Sequence, residues 1–202
     1  MKKIFYTQRV DVVEAYGERR DAIDQRVPLF LSACGFLPVS LPNLPNIALS
    51  IVQNCQVDGV FLTGGNSLCK YGGNAPERDA AERELVTWAI RKKIPVFGIC
   101  RGMQVLTDYF GGSLAPVSNH VRVYHAIFGK INIDSVNSYH NLMITELPNE
   151  LEAVAHTTDG VIEGIRHRYL PLMGIGWHPE REAKFSLEDV RLVKDYFEGN
   201  FE

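Results

Sequence analysis

Pro95-Val96-Phe97-Gly98-Ile99-Cys100-Arg101-Gly102-Met103-Gln104 begins as an apolar strand and ends as a helix, with one cysteine at the join. Gly98 and Gly102 lack a Cβ, which a turn this tight needs if it is to expose a thiol without clashing with itself or a substrate. The helix that starts after Cys100 aims free N–H groups and its positive dipole end at the sulfur, favouring thiolate over thiol. The spacing therefore places Cys100 as a nucleophile.

On either side of this join the chain alternates strands and helices. Lys2 to Gln8 reads as a strand, Arg19 to Ala33 as a helix disturbed at Pro28, Phe36 to Leu41 as a strand and Ile47 to Gln56 as a helix. Asp58 to Leu62 is a buried-type strand ending at Thr63-Gly64-Gly65-Asn66, Glu77 to Lys93 is a helix, and the helix after Cys100 runs to Phe110. From Gly111 to Gly176 come short runs: Val121 to Phe128, Ile131 to Ile133, Leu151 to Ala155, Val161 to Arg166 and Leu172 to Ile175. They read as hairpins and edge strands. Ser186 caps a last helix reaching about Glu198. The predicted class is α/β, a flavodoxin-like open parallel sheet flanked by helices with added antiparallel edge strands, in one domain spanning 1–202.

The 21 basic and 24 acidic residues are dispersed, giving a net charge of −3 and no basic block to neutralise a row of phosphates. Nucleic acid is not an expected partner. Neither a signal-peptide core nor a membrane-length apolar run is seen, so a cytoplasmic location is expected, with no membrane partner. The four cysteines form no C-x-x-C pair; Cys34, Cys55 and Cys69 read as reduced packing residues. His120, His125, His156 and His167 lack repeated metal-ligand spacing, so structural or surface roles and no metal are expected.

Open parallel sheets present functional groups at the carboxyl ends of their strands, where Gly64-Gly65 and Cys100 both fall. Gly176-Trp177-His178-Pro179-Glu180 adds an imidazole and a carboxylate at i and i+2, which an extended segment turns to one side. Thiol, imidazole and orienting acid compose a nucleophilic triad. Together, Gly98-Ile-Cys100-Arg-Gly102-Met-Gln104 and His178-Pro-Glu180 resemble the class I glutamine amidotransferase-like superfamily over essentially the whole chain. Arg101 and the segment Val136-Asn137-Ser138-Tyr139-His140 are more similar to its γ-glutamyl hydrolase branch, which includes γ-glutamyl-γ-aminobutyrate hydrolases.

That resemblance implies cysteine-dependent hydrolysis of a γ-glutamyl amide by Cys100, His178 and Glu180, without a cofactor. It implies an oxyanion hole at Gly64, Gly65 and the Arg101 amide, and substrate contacts from Gln104 and the backbone around Ser138, Tyr139 and His140. The opening segments Gln8-Arg9-Val10-Asp11 and Tyr16-Gly17-Glu18-Arg19-Arg20 resemble a small bacterial subgroup acting on γ-glutamyl-CDP-amidate in capsule phosphoramidate synthesis. Arg9, Arg19 and Arg20 would suit its diphosphate, since guanidinium pairs with phosphate in bidentate fashion, or form a solvated surface. The expected partner is a small γ-glutamyl substrate, with room for a homodimer. The alternative is a glutaminase subunit delivering ammonia to a synthetase partner. A third reading is a binding protein that keeps the scaffold without turnover.

Overall fold

The computed structural model describes residues 1–200. Its first half comprises β1 (Lys3–Tyr6), β2 (Arg9–Val13), β3 (Glu18–Ala22), α1 (Arg26–Ala33), β4 (Leu37–Ser40), α2 (Pro45–Asn54), β5 (Gly59–Leu62), α3 (Pro76–Lys92), β6 (Val96–Ile99) and α4 (Arg101–Tyr109). There follow β7 (Ser113–Pro116), β8 (Val121–Gly129), β9 (Ser135–Tyr139), β10 (Leu142–Glu146), β11 (Leu151–Thr157), β12 (Ile162–His167), β13 (Leu172–Ile175) and α5 (Leu187–Glu198).

Among the described residues the main sheet has nine strands in the order β4-β1-β5-β6-β13-β12-β11-β8-β9. The pairs from β4 to β13 are parallel and those from β13 to β9 antiparallel. β5, β6 and β13 are buried throughout, because helices cover both faces of the parallel half. Successive residues serve opposite faces. Phe61 and Phe97 stack 5.9 Å apart in a core shared with α1 and α5, while Val60, Leu62 and Val96 meet α2, α3 and α4 on the other side.

The expected fold class is observed, with differences along the chain. The helix expected from Arg19 begins only at Arg26, placing Pro28 harmlessly in its first turn. Arg19 and Arg20 instead lie on β3, paired with β2 in a hairpin that sets Arg20 opposite Asp11 and turns at Gly17, with φ of 73°. Alternating charges on an exposed ribbon carry no apolar signal for either period. Leu172 to Ile175 is not an edge strand but the link between the parallel and antiparallel halves. A short, wholly buried run reads the same in either setting. Ile131 to Ile133 forms no strand, whereas β7 and β10 form a separate antiparallel pair. Cys34 is buried as expected, but Cys55 is exposed at the end of α2 and Cys69 is half-buried.

Candidate active site

Cys100 sits between β6 and α4 with φ of 49° and ψ of −103°, a left-handed conformation rare for a residue with a side chain. Its N–H is held by the Ile175 carbonyl at 2.7 Å. The flanking glycines are required by contact. A Cβ on Gly98 would come within 2.4 Å of the Gly102 backbone, and one on Gly102 within 2.3 Å of the Leu62 carbonyl oxygen.

His178 follows β13, the parallel neighbour of β6, so the tertiary fold brings its ring to the cysteine. The two side chains act on each other's charge. Glu180 Oε1 lies 2.6 Å from His178 Nδ1, but through a 3-10 turn at Pro179–Arg181 rather than the extended segment expected. Asn137 on β9 grips the backbone of His178 from both sides, its Oδ1 accepting from the His178 N–H at 2.9 Å and its Nδ2 donating to the His178 carbonyl at 2.8 Å. Arg26 donates to the carbonyls of Glu180, at 2.7 Å, and Glu182, holding the turn from the far side. Tyr139 meets the imidazole edge-on at 5.7 Å.

Two buried cysteines show what this environment does. Burial pushes the Cys34 thiol up to about 12. Burial also works against the Cys100 thiolate, yet the charge and hydrogen bond of His178, with the charge of His140, outweigh it and bring that thiol below its ordinary value. Reciprocally, burial disfavours the His178 cation, but the charges of Cys100 and Glu180 and their hydrogen bonds raise it to about 10. Each charge thus favours the other, thiolate with imidazolium.

The Gly64-Gly65 turn lies against the same ring, since a Cβ on Gly64 would stand 2.6 Å from His178 Cε1. Arg78 fixes this turn, donating to the Thr63 carbonyl at 2.8 Å and to Asn66 at 3.2 Å. Arg78 is wholly buried and pairs with buried Glu82 at 3.0 Å. Glu82 also takes the Arg101 guanidinium, whose other nitrogen reaches Asp79 at 2.5 Å. The Arg101 charge is thereby neutralised within α3, while its amide lies at the start of α4.

The remaining candidates divide. Gln104 is buried on α4, one turn beyond the cysteine. The Ser138 hydroxyl is committed to the His120 carbonyl at 2.6 Å, leaving only the backbone of that segment to offer. Both His140 nitrogens have internal partners, the Leu142 carbonyl at 3.1 Å and Glu163 at 2.9 Å. Its charge reaches Cys100, but direct donation to substrate is not its arrangement here. Arg9 packs beside Gly65 and pairs with Asp11 at 3.0 Å; Arg19 pairs with Glu77 at 2.5 Å and Arg20 with Glu18 at 2.6 Å. Reading residues in order missed Asn137, Arg26, Arg78 and Glu82. Arg78 and Glu82 lie among the other charges of α3 and Arg26 beside Asp24 and Gln25, so polarity alone did not mark them.

The glutamine amidotransferase class-I family model matches residues 31–198. The chain is 35% identical to the γ-glutamyl-CDP-amidate hydrolase of Campylobacter jejuni over 95% of each chain. It is 27% identical to anthranilate synthase component 2 of Methanocaldococcus jannaschii over 90% of this chain and 95% of that one. A glutamine amidotransferase structure from Thermotoga maritima superposes with a TM-score of 0.66 at 17% identity, covering 98% and 84% of the two chains.

Proposed function

The chain belongs to the glutamine amidotransferase class-I family, and on that premise we propose that it hydrolyses a γ-glutamyl amide with Cys100, His178 and Glu180 as catalytic triad. The observation that carries this reading is the strained cysteine electrostatically coupled to an imidazole that a buried carboxylate orients at 2.6 Å. Cys100 thiolate attacks the γ-carbonyl carbon. Amides near Gly64, Gly65 and Arg101 receive the developing oxyanion, a donor of this kind being worth about 3 kcal/mol. His178 gives its proton to the departing nitrogen, leaving a glutamyl thioester. Acylation removes the thiolate charge that raised the imidazole, so His178, now neutral, can take a proton from the water that releases glutamate. Glu180 keeps the ring in one orientation and favours its charged form in both half-reactions. The residues require no metal or organic cofactor for these steps.

The substrate we favour is a γ-glutamyl nucleotide amidate such as γ-glutamyl-CDP-amidate, on the strength of the Campylobacter relative and of Arg9, Arg19 and Arg20 on the hairpin beside the Gly65 turn. A substrate-class panel tests it: glutamine, γ-glutamyl amines and a γ-glutamyl nucleotide amidate, with glutamate release measured and Cys100→Ala as control. The amidate should give the highest kcat/KM, and the variant should lose roughly 10⁶-fold in kcat while keeping its circular dichroism. Similarity to anthranilate synthase component 2 supports a second reading, a glutaminase subunit acting with a synthetase. Preference for free glutamine, rising when a synthetase is added, would select it. A Cys100→Ala variant with near wild-type turnover would remove both readings, and a folded enzyme without turnover on any member would favour the binding protein.

A further inference from the structure

Behind the nucleophile stand three polar atoms that hydrolysis does not use. His120 Nδ1, His125 Nε2 and Glu163 Oε2 are buried and meet no hydrogen-bond partner among the described residues. Unsatisfied groups of this kind are costly and call for an explanation. The residues that carry them form one cluster: a ligand atom from each of the three lies within 4.8 Å of the other two. We propose that His120, His125 and Glu163 form a binding site for a divalent transition-metal ion, best matched by zinc.

The donor set points to this class of ion. Two imidazoles and one carboxylate suit zinc with an open fourth position, whereas calcium and magnesium take oxygen ligands. The supporting groups are arranged accordingly. Asp159 Oδ2 lies 3.1 Å from His120 Nε2, which places the ring proton there and turns the Nδ1 lone pair toward the cluster. Glu163 stands with Oε1 3.6 Å from His120 Nδ1.

The backbone shows how two histidines with four residues between them were brought to one face. On a regular strand His120 and His125 would point to opposite sides. The register of β8 against β9 shifts between Val121 and Val123, with Arg122 at φ of 58°, and this extra residue turns both rings the same way, 4.1 Å apart between centroids. The cluster is somewhat wider than the roughly 3.4 Å between ligands of a tetrahedral ion with bonds of about 2.0–2.1 Å. Binding would require half-buried His125 to rotate by the difference. Glu163 also holds His140, so the ion would anchor the strands behind Cys100 without joining the attack on substrate.

Metal-stripped full-length protein is titrated with Co²⁺, read by its absorption, and with Zn²⁺ in competition with a chromophoric chelator. The expected result is a single equivalent bound, with ligand-field bands but no thiolate-to-cobalt charge transfer, which separates this site from Cys100 and the exposed Cys55. Cys100→Ser should bind as the wild type does, His125→Ala should lose the stoichiometric site, and Asp159→Asn should weaken Zn²⁺ roughly 10–100-fold. Both positions are at least partly exposed, and circular dichroism verifies that the variants fold. Failure of the wild type to bind, a charge-transfer spectrum, or a full equivalent surviving His125→Ala would overturn the proposal.

Discussion

The parallel and antiparallel halves of the sheet bury side chains of different character. From β4 to β6 the strand interiors are almost wholly apolar, and the buried charges belong to the helices, where Arg78, Glu82 and Arg101 close on one another with Asp79. From β12 to β9 the buried groups include Asn137, Ser138, Thr157, Glu163 and His167, with His120 and His140 just beyond strand ends. The ionic cluster of the first half is nearly satisfied, Arg101 Nε being its one atom without a partner among the described residues. The second half leaves His120, His125 and Glu163 with such atoms, and Glu180 beyond β13 has another. Charges paired internally hold a backbone in place; charges left partly unpaired remain available to act. The proposed triad spans the boundary, with Cys100 at the end of the first half and His178 and Glu180 in the segment after β13.

After loss of the nucleophile itself, the largest effect should come from the acid. Glu180→Gln should lower kcat roughly 10⁴-fold with little change in folding, as expected when an orienting carboxylate becomes an amide. The pH profile sharpens this. Activity needs thiolate with imidazolium, so in the wild type it should fall on the acid side as Cys100 protonates, below the ordinary thiol range, and on the alkaline side as His178 loses its proton near 10. Removing the Glu180 charge makes the cation less favourable, and the alkaline limb should move to lower pH. An unmoved limb would mean that Glu180 does not set the charge of the ring.

A smaller effect is expected from the ionic cluster of the parallel half. Glu82→Gln leaves two buried guanidinium groups without their shared partner and should destabilise the fold by about 3–5 kcal/mol, read from urea unfolding. Glu82 is buried, which would raise its carboxyl, but Arg101 and Arg78 bring it below the ordinary value. Its stabilising contribution is therefore complete above the ordinary carboxylate value and lost as pH falls through the lowered one. The gap between wild type and variant should accordingly narrow in acid. If Glu82→Gln instead leaves stability intact, these charges are not what fixes the first half.

Smaller again should be Gly64→Ala, whose methyl would intrude on His178. Displacing the imidazole by about 1 Å should cost on the order of 10²-fold in kcat, with stability nearly unchanged. Unaltered kinetics would show that the glycine turn and the ring are not in register during turnover.

Much of the parallel half was legible because its strands are buried on both faces and its helices carry one apolar side, so period and length separate them. Cys100 was legible because glycine beside a nucleophile at a strand end has a steric reason. The β2-β3 hairpin and the central place of β13 were not, since exposed charged ribbons and four-residue apolar runs carry no period that tells one setting from another. Asn137 was hidden for a related reason: a buried amide within a strand has meaning only when the backbone it grips is known.

By itself, the order of residues determined the α/β rhythm, the strained cysteine turn and the presence of an imidazole and a carboxylate two positions apart, because these depend on contacts between near neighbours in the chain. Tertiary structure alone decided that β13 lies beside β6, that a 3-10 turn brings Glu180 to His178, and that a bulge gathers two histidines with Glu163. Those outcomes depend on register and on close packing between segments far apart in the chain, and local propensity contains neither.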